Sequence, residues 1–301
     1  MLKRLFSGFT EPPSVSRTEA FIARALLALL VASEIWRPLN FTTQPMPAGL
    51  GHWIDLTWLS DGDKHEMFRN IIYAGLGVYA LGLALPLTLP LITLGHILYY
   101  TLFNSQGFTH HGHQIVSLVL MAQTGVVWWS CIRRKFSLGF PDDWINSRIL
   151  WQSTIIIAGT YVVSVITKMK QSGGMWLWRA NNVAVDIIKT QRQTYYNDLN
   201  PENVGDPANA LWLLAHPWQA RLLFSSGVIL ETLSFVAIGS RVLAFFIGVS
   251  LIAMHRSIEE LMGGLTFPNN EYLCLIFLIN VPFIVAWPLD RWVFSRWQAK
   301  A

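Results

Sequence analysis

Charge is scarce in this 301-residue chain: Asp, Glu, Lys and Arg make up 13% of it, against 52% hydrophobic residues. Soluble domains carry about twice that charged fraction, so the composition excludes an ordinary water-soluble globule and indicates a polytopic membrane protein. Cysteine is nearly missing. Cys131 and Cys274 fall in or beside different apolar segments, show no metal-ligand spacing and say little about redox compartment. Repeats, heptads and low-complexity tracts are also absent, which removes solenoids and coiled coils from consideration. The first apolar run lacks a small-residue cleavage site, so it reads as a retained span and not as a signal peptide. The net charge of +4 and pI near 9.1 come from dispersed Lys and Arg residues, several beside apolar runs. That distribution sets topology and does not make a nucleic-acid surface.

What is present is apolar length. The mean hydropathy is +0.39 and there are 14 tryptophans. A spanning helix needs about 20 mostly apolar residues, and eight runs qualify: 18–36, 69–85, 87–103, 114–132, 148–167, 219–238, 241–261 and 272–288. Pro86 and Pro90 join the second and third, which read as a tight hairpin or as one kinked feature. Basic residues arbitrate. Lys3, Arg4 and Arg17 precede the first span, Arg133, Arg134 and Lys135 follow the fourth, and Arg291, Arg296 and Lys300 follow the eighth. With eight spans all these groups share one side, the cytoplasm, and so do both termini. The expected fold is an all-α helical bundle forming one transmembrane domain over 1–301, with no separate soluble domain. Two long connections, 37–68 and 168–218, face outward; within the second, 176–188 has the pattern of an amphipathic helix lying along the interface.

Ionisable residues within spans are costly and mark functional sites by default. Helix rise places His113 and Gln114 at the outer start of the fourth span and Lys168 at the outer end of the fifth. His255 lies in the outer half of the seventh, with Glu259 one turn further on the same face, and Glu231 reaches the middle of the sixth. These groups converge on one outward-opening cavity. Lys168 stands where an apolar helix meets the Gly173-Gly174-Met175-Trp176 turn, and an amine desolvated there can act as a base near neutral pH; the plain alternative makes Lys168 and Lys170 snorkelling anchors. His96 reads as a hydrogen-bonded structural residue. The His110-His111-Gly112-His113 tract lacks a second cluster to complete a metal site, so no metal is expected. Glu231 has Arg221 or Lys168 as possible partners, either Glu259 or Glu260 can pair with Arg256 along their helix, and Phe267-Pro268-Asn269-Asn270 reads as a turn between spans.

Three blocks resemble the membrane domain shared by vitamin K-dependent gamma-carboxylases and their short bacterial relatives, the horizontally transferred transmembrane domain family. They are the run from His113 to Leu118; Ile166-Thr167-Lys168-Met169 through Gly173 and Trp176; and Gly227 to Glu231 continuing to Met254-His255-Arg256-Ser257-Ile258 and the stretch from Glu260 to Asn269. The first three helices match only in pattern. The resemblance implies an enzyme of the inner (cytoplasmic) membrane, active side outward, in which Lys168 deprotonates a reduced naphthoquinone (vitamin K or menaquinol). Molecular oxygen then attacks, the resulting alkoxide removes a proton from a substrate carbon, and carbon dioxide adds. It gives His113 the role of stabilising the developing oxyanion, while His255, Glu231, Glu259, Gln114 and Trp176 are expected to bind quinone or substrate. With Ala301 following soon after the last span, the peptide-docking region of animal carboxylases is expected to have no counterpart here. A small secreted peptide as substrate and a separate soluble partner in trans are therefore expected. The rival readings are a non-catalytic membrane component that binds a peptide or lipid during maturation or export of a secreted peptide, and a small transporter, for which paired interrupted helices are lacking.

Overall fold

Side-chain caps start the long helices where the sequence places Ser or Asp ahead of an apolar run. In a computed structural model describing residues 6–36, 46–47, 49–106, 111–133, 137–263 and 265–294, Ser16 opens α1 (Arg17–Ile35) and Asp61 opens α2 (Gly62–Ala80). Asp142 opens α5 (Asp143–Gln171), following α3 (Leu85–Ser105) and α4 (His111–Arg133). Each cap oxygen accepts the N–H of the residue three further on and so satisfies one otherwise unpaired donor of the first turn. The long connection after α5 carries α6 (Val183–Asp198) and α7 (Ala208–Ala215). The bundle then resumes with α8 (Pro217–Leu233), α9 (Arg241–Met262), α10 (Pro268–Leu273) and α11 (Val281–Leu289). Among the described residues there is no strand.

Six stretches are long and apolar enough to cross a bilayer: Leu85–Ser105, Gly112–Arg133, Asp143–Gln171, Pro217–Ile238, Arg241–Met262 and Pro268–Trp292. The chain is an all-helical, membrane-embedded protein, and Leu29, Leu94, Ile166, Leu222 and Phe246 are exposed on its outside as lipid-facing residues are. The eight expected spans thus become six by this measure. Helices α1 and α2 occupy the other two places, but α1 carries Glu19, Arg24 and Glu34, and α2 begins with Asp63, Lys64, Glu66 and Arg69.

The proline-linked pair is two helices, with the second starting at Leu85 and the first ending at Ala80. Gly82 turns between them at φ 77° with Arg24 packed against it; a Cβ there would lie 2.8 Å from the Arg24 guanidinium, so both the backbone and the space demand glycine. Pro90 sits inside α3 and cannot donate to the Pro86 carbonyl one turn back. Trp128 fills the gap, its indole Nε1–H donating to Pro86 O at 3.2 Å. Leu27, Ile72, Tyr79, Leu89, Leu120 and Ile149 form the buried centre, through which a polar thread runs from the Tyr79 hydroxyl to Gln123 (2.7 Å) and on to Ser153 (3.0 Å).

Two further expectations shift. The amphipathic helix expected at 176–188 begins later, at Val183, and runs to Asp198, because turns occupy the preceding Gly-Trp stretch. It buries Ala184 and Ile187 against Ala210, Leu213, Ala220 and Met262, a second small core. The span expected at 272–288 is interrupted: a π-helical turn at Cys274–Leu278 leads to Asn280 at φ 58°, after which α11 restarts. The backbone groups freed by the interruption find partners, as they must inside a membrane. The Thr154 hydroxyl donates to Phe277 O at 3.1 Å, and the Asn280 side chain caps Phe283 N–H at 3.1 Å.

Candidate functional site

At the end of the bundle where α1, α5 and α9 finish and α4 and α10 begin, the polar residues of the spans gather in two neighbouring groups. The first is centred on Glu34, whose side chain is 4% exposed. His96 Nε2 lies 2.6 Å from Oε2 and His113 Nδ1 lies 2.8 Å from Oε1, so each carboxylate oxygen meets a different imidazole. The other nitrogen of His96 meets the Ser117 hydroxyl at 2.8 Å. His113 stacks on Tyr100 at 3.9 Å between ring centroids, and the Asn269 side-chain amide lies 2.8 Å from its Nδ1.

The second group is centred on Lys168. Its ammonium donates to Glu231 Oε2 at 2.5 Å and sits 5.5 Å from the centre of the Trp176 ring. The lysine side chain is 30% exposed and the glutamate 9%. Side chains of a helix lean toward its N-terminus, and Lys168, near the C-terminal end of α5, reaches back along the bundle to the Glu231 carboxylate. Beside this pair His255 is buried, stacked on Phe267 at 4.7 Å, with Nε2 3.4 Å from the Tyr161 hydroxyl. Its Nδ1 is buried without a hydrogen-bond partner. Tyr161 also approaches Cys274 Sγ at 3.7 Å and is hydrogen-bonded by Asn270. His255 is within electrostatic range of both Lys168 and Glu259.

The turn read as a simple connection links the two groups. Asn269 faces His113, Asn270 faces Tyr161, and Glu271 pairs with Arg256, so three successive residues of α10 reach α4, α5 and α9. Glu259 braces the same turn: Oε1 accepts Phe267 N–H at 2.8 Å and Oε2 accepts Arg256 Nη1–H at 3.1 Å.

Of the residues singled out in the sequence, Lys168, Glu231 and Trp176 meet directly, with His255 beside them and His113 joined through Asn269 and Asn270. Glu259 has both oxygens engaged by the protein, and Gln114 is exposed, apart from either group. His110 and the side chain of His111 lie outside the described residues; among those described, no three His, Cys, Asp or Glu residues are arranged to hold a metal ion. Glu34, Tyr161 and the two asparagines are functional candidates that sequence reasoning passes over. A glutamate two residues before the end of the apolar run 18–36 is the available signal for the first. A separate cavity of about 380 Å³ lies toward the opposite end, lined by Gly8, Trp151, Arg241, Ile276 and Asn280 among others, and includes none of these residues.

Comparison of the chain with family profiles, curated proteins and solved structures returns no match.

Proposed function

We propose that this protein is a membrane enzyme that takes a proton from a reduced naphthoquinone and, with molecular oxygen, modifies a peptide or small substrate on the outer side of the cytoplasmic membrane. The observation that carries the reading is the Lys168–Glu231 pair, a titratable couple set below the outer surface with Trp176 against it. The three blocks of resemblance support it. So does the bundle: Glu19, Arg24 and Glu34 of α1 are all engaged inside the protein, which favours counting α1 as a span. The charges of α2 are confined to its first two turns, which supports counting α2 as a span as well; the proposed arrangement is eight spans with both termini inside and α6 along the interface.

The residues fit a flat ligand with a polar head. Phe267 and Trp176 supply ring faces, and the orphaned Nδ1 of His255 is a buried polar atom that a ligand hydroxyl would satisfy. The quinol supplies, with oxygen and with carbon dioxide as the group added, a reducing and strongly basic chemistry that no side chain has. Lys168 and Glu231 hold the proton. At 2.5 Å the two groups share one proton, so the pair carries zero net charge. With that proton on the Glu231 carboxyl, the Lys168 amine takes the proton of a ligand hydroxyl, and the ammonium so formed faces the oxygen that lost it. His113 is the donor aimed at growing negative charge. A small secreted peptide and a separate partner protein complete the scheme.

Purified protein given vitamin K hydroquinone and oxygen is expected to form the quinone epoxide, and both Lys168→Ala and Lys168→Arg to abolish it. Arginine keeps the charge but cannot exchange the proton. Undiminished turnover in these variants removes the assignment. The ion pair also favours a second reading, a non-catalytic component that binds a peptide or lipid during maturation or export of a secreted peptide, with Lys168 and Glu231 as a strut. In that case the folded protein forms no epoxide, and Lys168→Met combined with Glu231→Met leaves its binding intact.

A further inference from the structure

We infer that Glu34 is a positioning residue that makes His113, and not His96, the proton-carrying imidazole of this site. The inference rests on the proposed reading for its catalytic consequence, but the charge arrangement stands on geometry alone. Glu34 is almost wholly buried, and the basic groups at its carboxylate are the two imidazoles; no lysine or arginine pairs with it among the described residues. A carboxylate so placed is costly unless a positive charge accompanies it. One ring therefore carries the balancing proton.

The surroundings of the two rings differ. His96 is fully buried and satisfied as a neutral ring, with Nε2–H donating to Glu34 and Nδ1 accepting from the Ser117 hydroxyl. His113 is 21% exposed and lies face to face with Tyr100, both of which ease a cation. With Nδ1–H directed to Glu34, the charged ring has Nε2–H as its second donor, which is what stabilising negative charge on a substrate requires. Asn269 is consistent with this once its amide, whose oxygen and nitrogen exchange by rotation about the terminal bond, presents oxygen to the Nδ1–H. Among the described residues, Tyr100 from α3, Ser117 from α4 and Asn269 from α10 face the triad, and none of the three competes for the charge near neutral pH.

The test is nitrogen-15 NMR of histidine-labelled protein in nanodiscs at neutral pH, with signals assigned through His96→Asn and His113→Gln. The expected result is an imidazolium at His113 and a neutral ring at His96, with Glu34→Gln converting His113 to the neutral form and Glu34→Asp restoring the cation. A neutral His113 beside a charged His96 in the unaltered protein overturns the inference, and where a variant fails to fold the ring signals are assigned instead by correlation to each histidine's own backbone. Epoxide formation in Glu34→Gln is expected to fall about a hundredfold or more, in kcat rather than KM, and to depend differently on pH. If the unaltered protein forms no epoxide while the NMR pattern holds, the enzymatic reading fails and the charge assignment remains.

Discussion

Helix α1 buries two glutamates fifteen residues apart, about 22 Å along its axis, and their partners differ in kind. Near its N-terminal end Glu19 is held by both terminal nitrogens of Arg241 at 2.8 and 3.0 Å and by the Asn280 amide at 3.0 Å. Arg241 also donates to Ser14 O and lies over the Phe283 ring. None of these donors gives up a proton near neutral pH. Near its C-terminal end the basic groups that Glu34 meets among the described residues are imidazoles. The same side chain is fastened at one end of the bundle and meets groups able to hold or release a proton at the other. Burial alone therefore does not identify a site; the chemistry of the partner does.

The largest effect expected from this contrast is at Glu19. Arg241→Ala leaves Glu19 buried and uncompensated, and should destabilise the protein by about 3–5 kcal/mol, read as a fall in thermal midpoint in detergent. Replacing both residues with Met should recover most of that loss. If the single variant costs less than about 1 kcal/mol, the Glu19–Arg241 pair is not a fastening. At the other end of the helix Glu34→Gln should cost about 1–2 kcal/mol in the same assay, since the amide still offers one acceptor and removes the buried charge along with its need for a partner. Equal costs at the two ends would erase the distinction.

The sequence makes one half of this arrangement readable. Lys168, Glu231 and His255 are ionisable residues in otherwise apolar runs, and helix rise alone brings them to similar depth. Depth does not give azimuth, however. Gln114 follows His113 in sequence but faces outward, about 100° round the helix from it. Nor does depth reveal a turn whose asparagines look like loop residues until Asn269 and Asn270 are seen against His113 and Tyr161. The interruption at Cys274–Leu278 is invisible for a related reason: an apolar run reads the same whether its backbone is α or π. Arg24, Asn146, Glu19 and Asn280 lie more than a hundred residues from their partners, and no local pattern pairs them.

The smallest effect belongs to a carboxylate in water, which calibrates the other two. Asp61 caps α2 outside the apolar spans, and the Lys64 backbone N–H, followed by the Lys64 side chain, holds its carboxyl below the usual aspartate range. A lowered value in the folded state means that the cap contributes stability above the unfolded value, about 3.9, and loses it as pH falls through the folded one. Hydrogen exchange at the amides of the first turn of α2, corrected for the intrinsic rate, should therefore quicken below about pH 4, while the global unfolding midpoint changes little. Asp61→Asn should remove the pH dependence and keep most of the protection, because an asparagine caps a helix nearly as well without titrating. If the first turn of α2 instead protects its amides equally at pH 3 and pH 6, the capping bond is not formed in solution and Asp61 no longer serves as the exposed reference for Glu19 and Glu34.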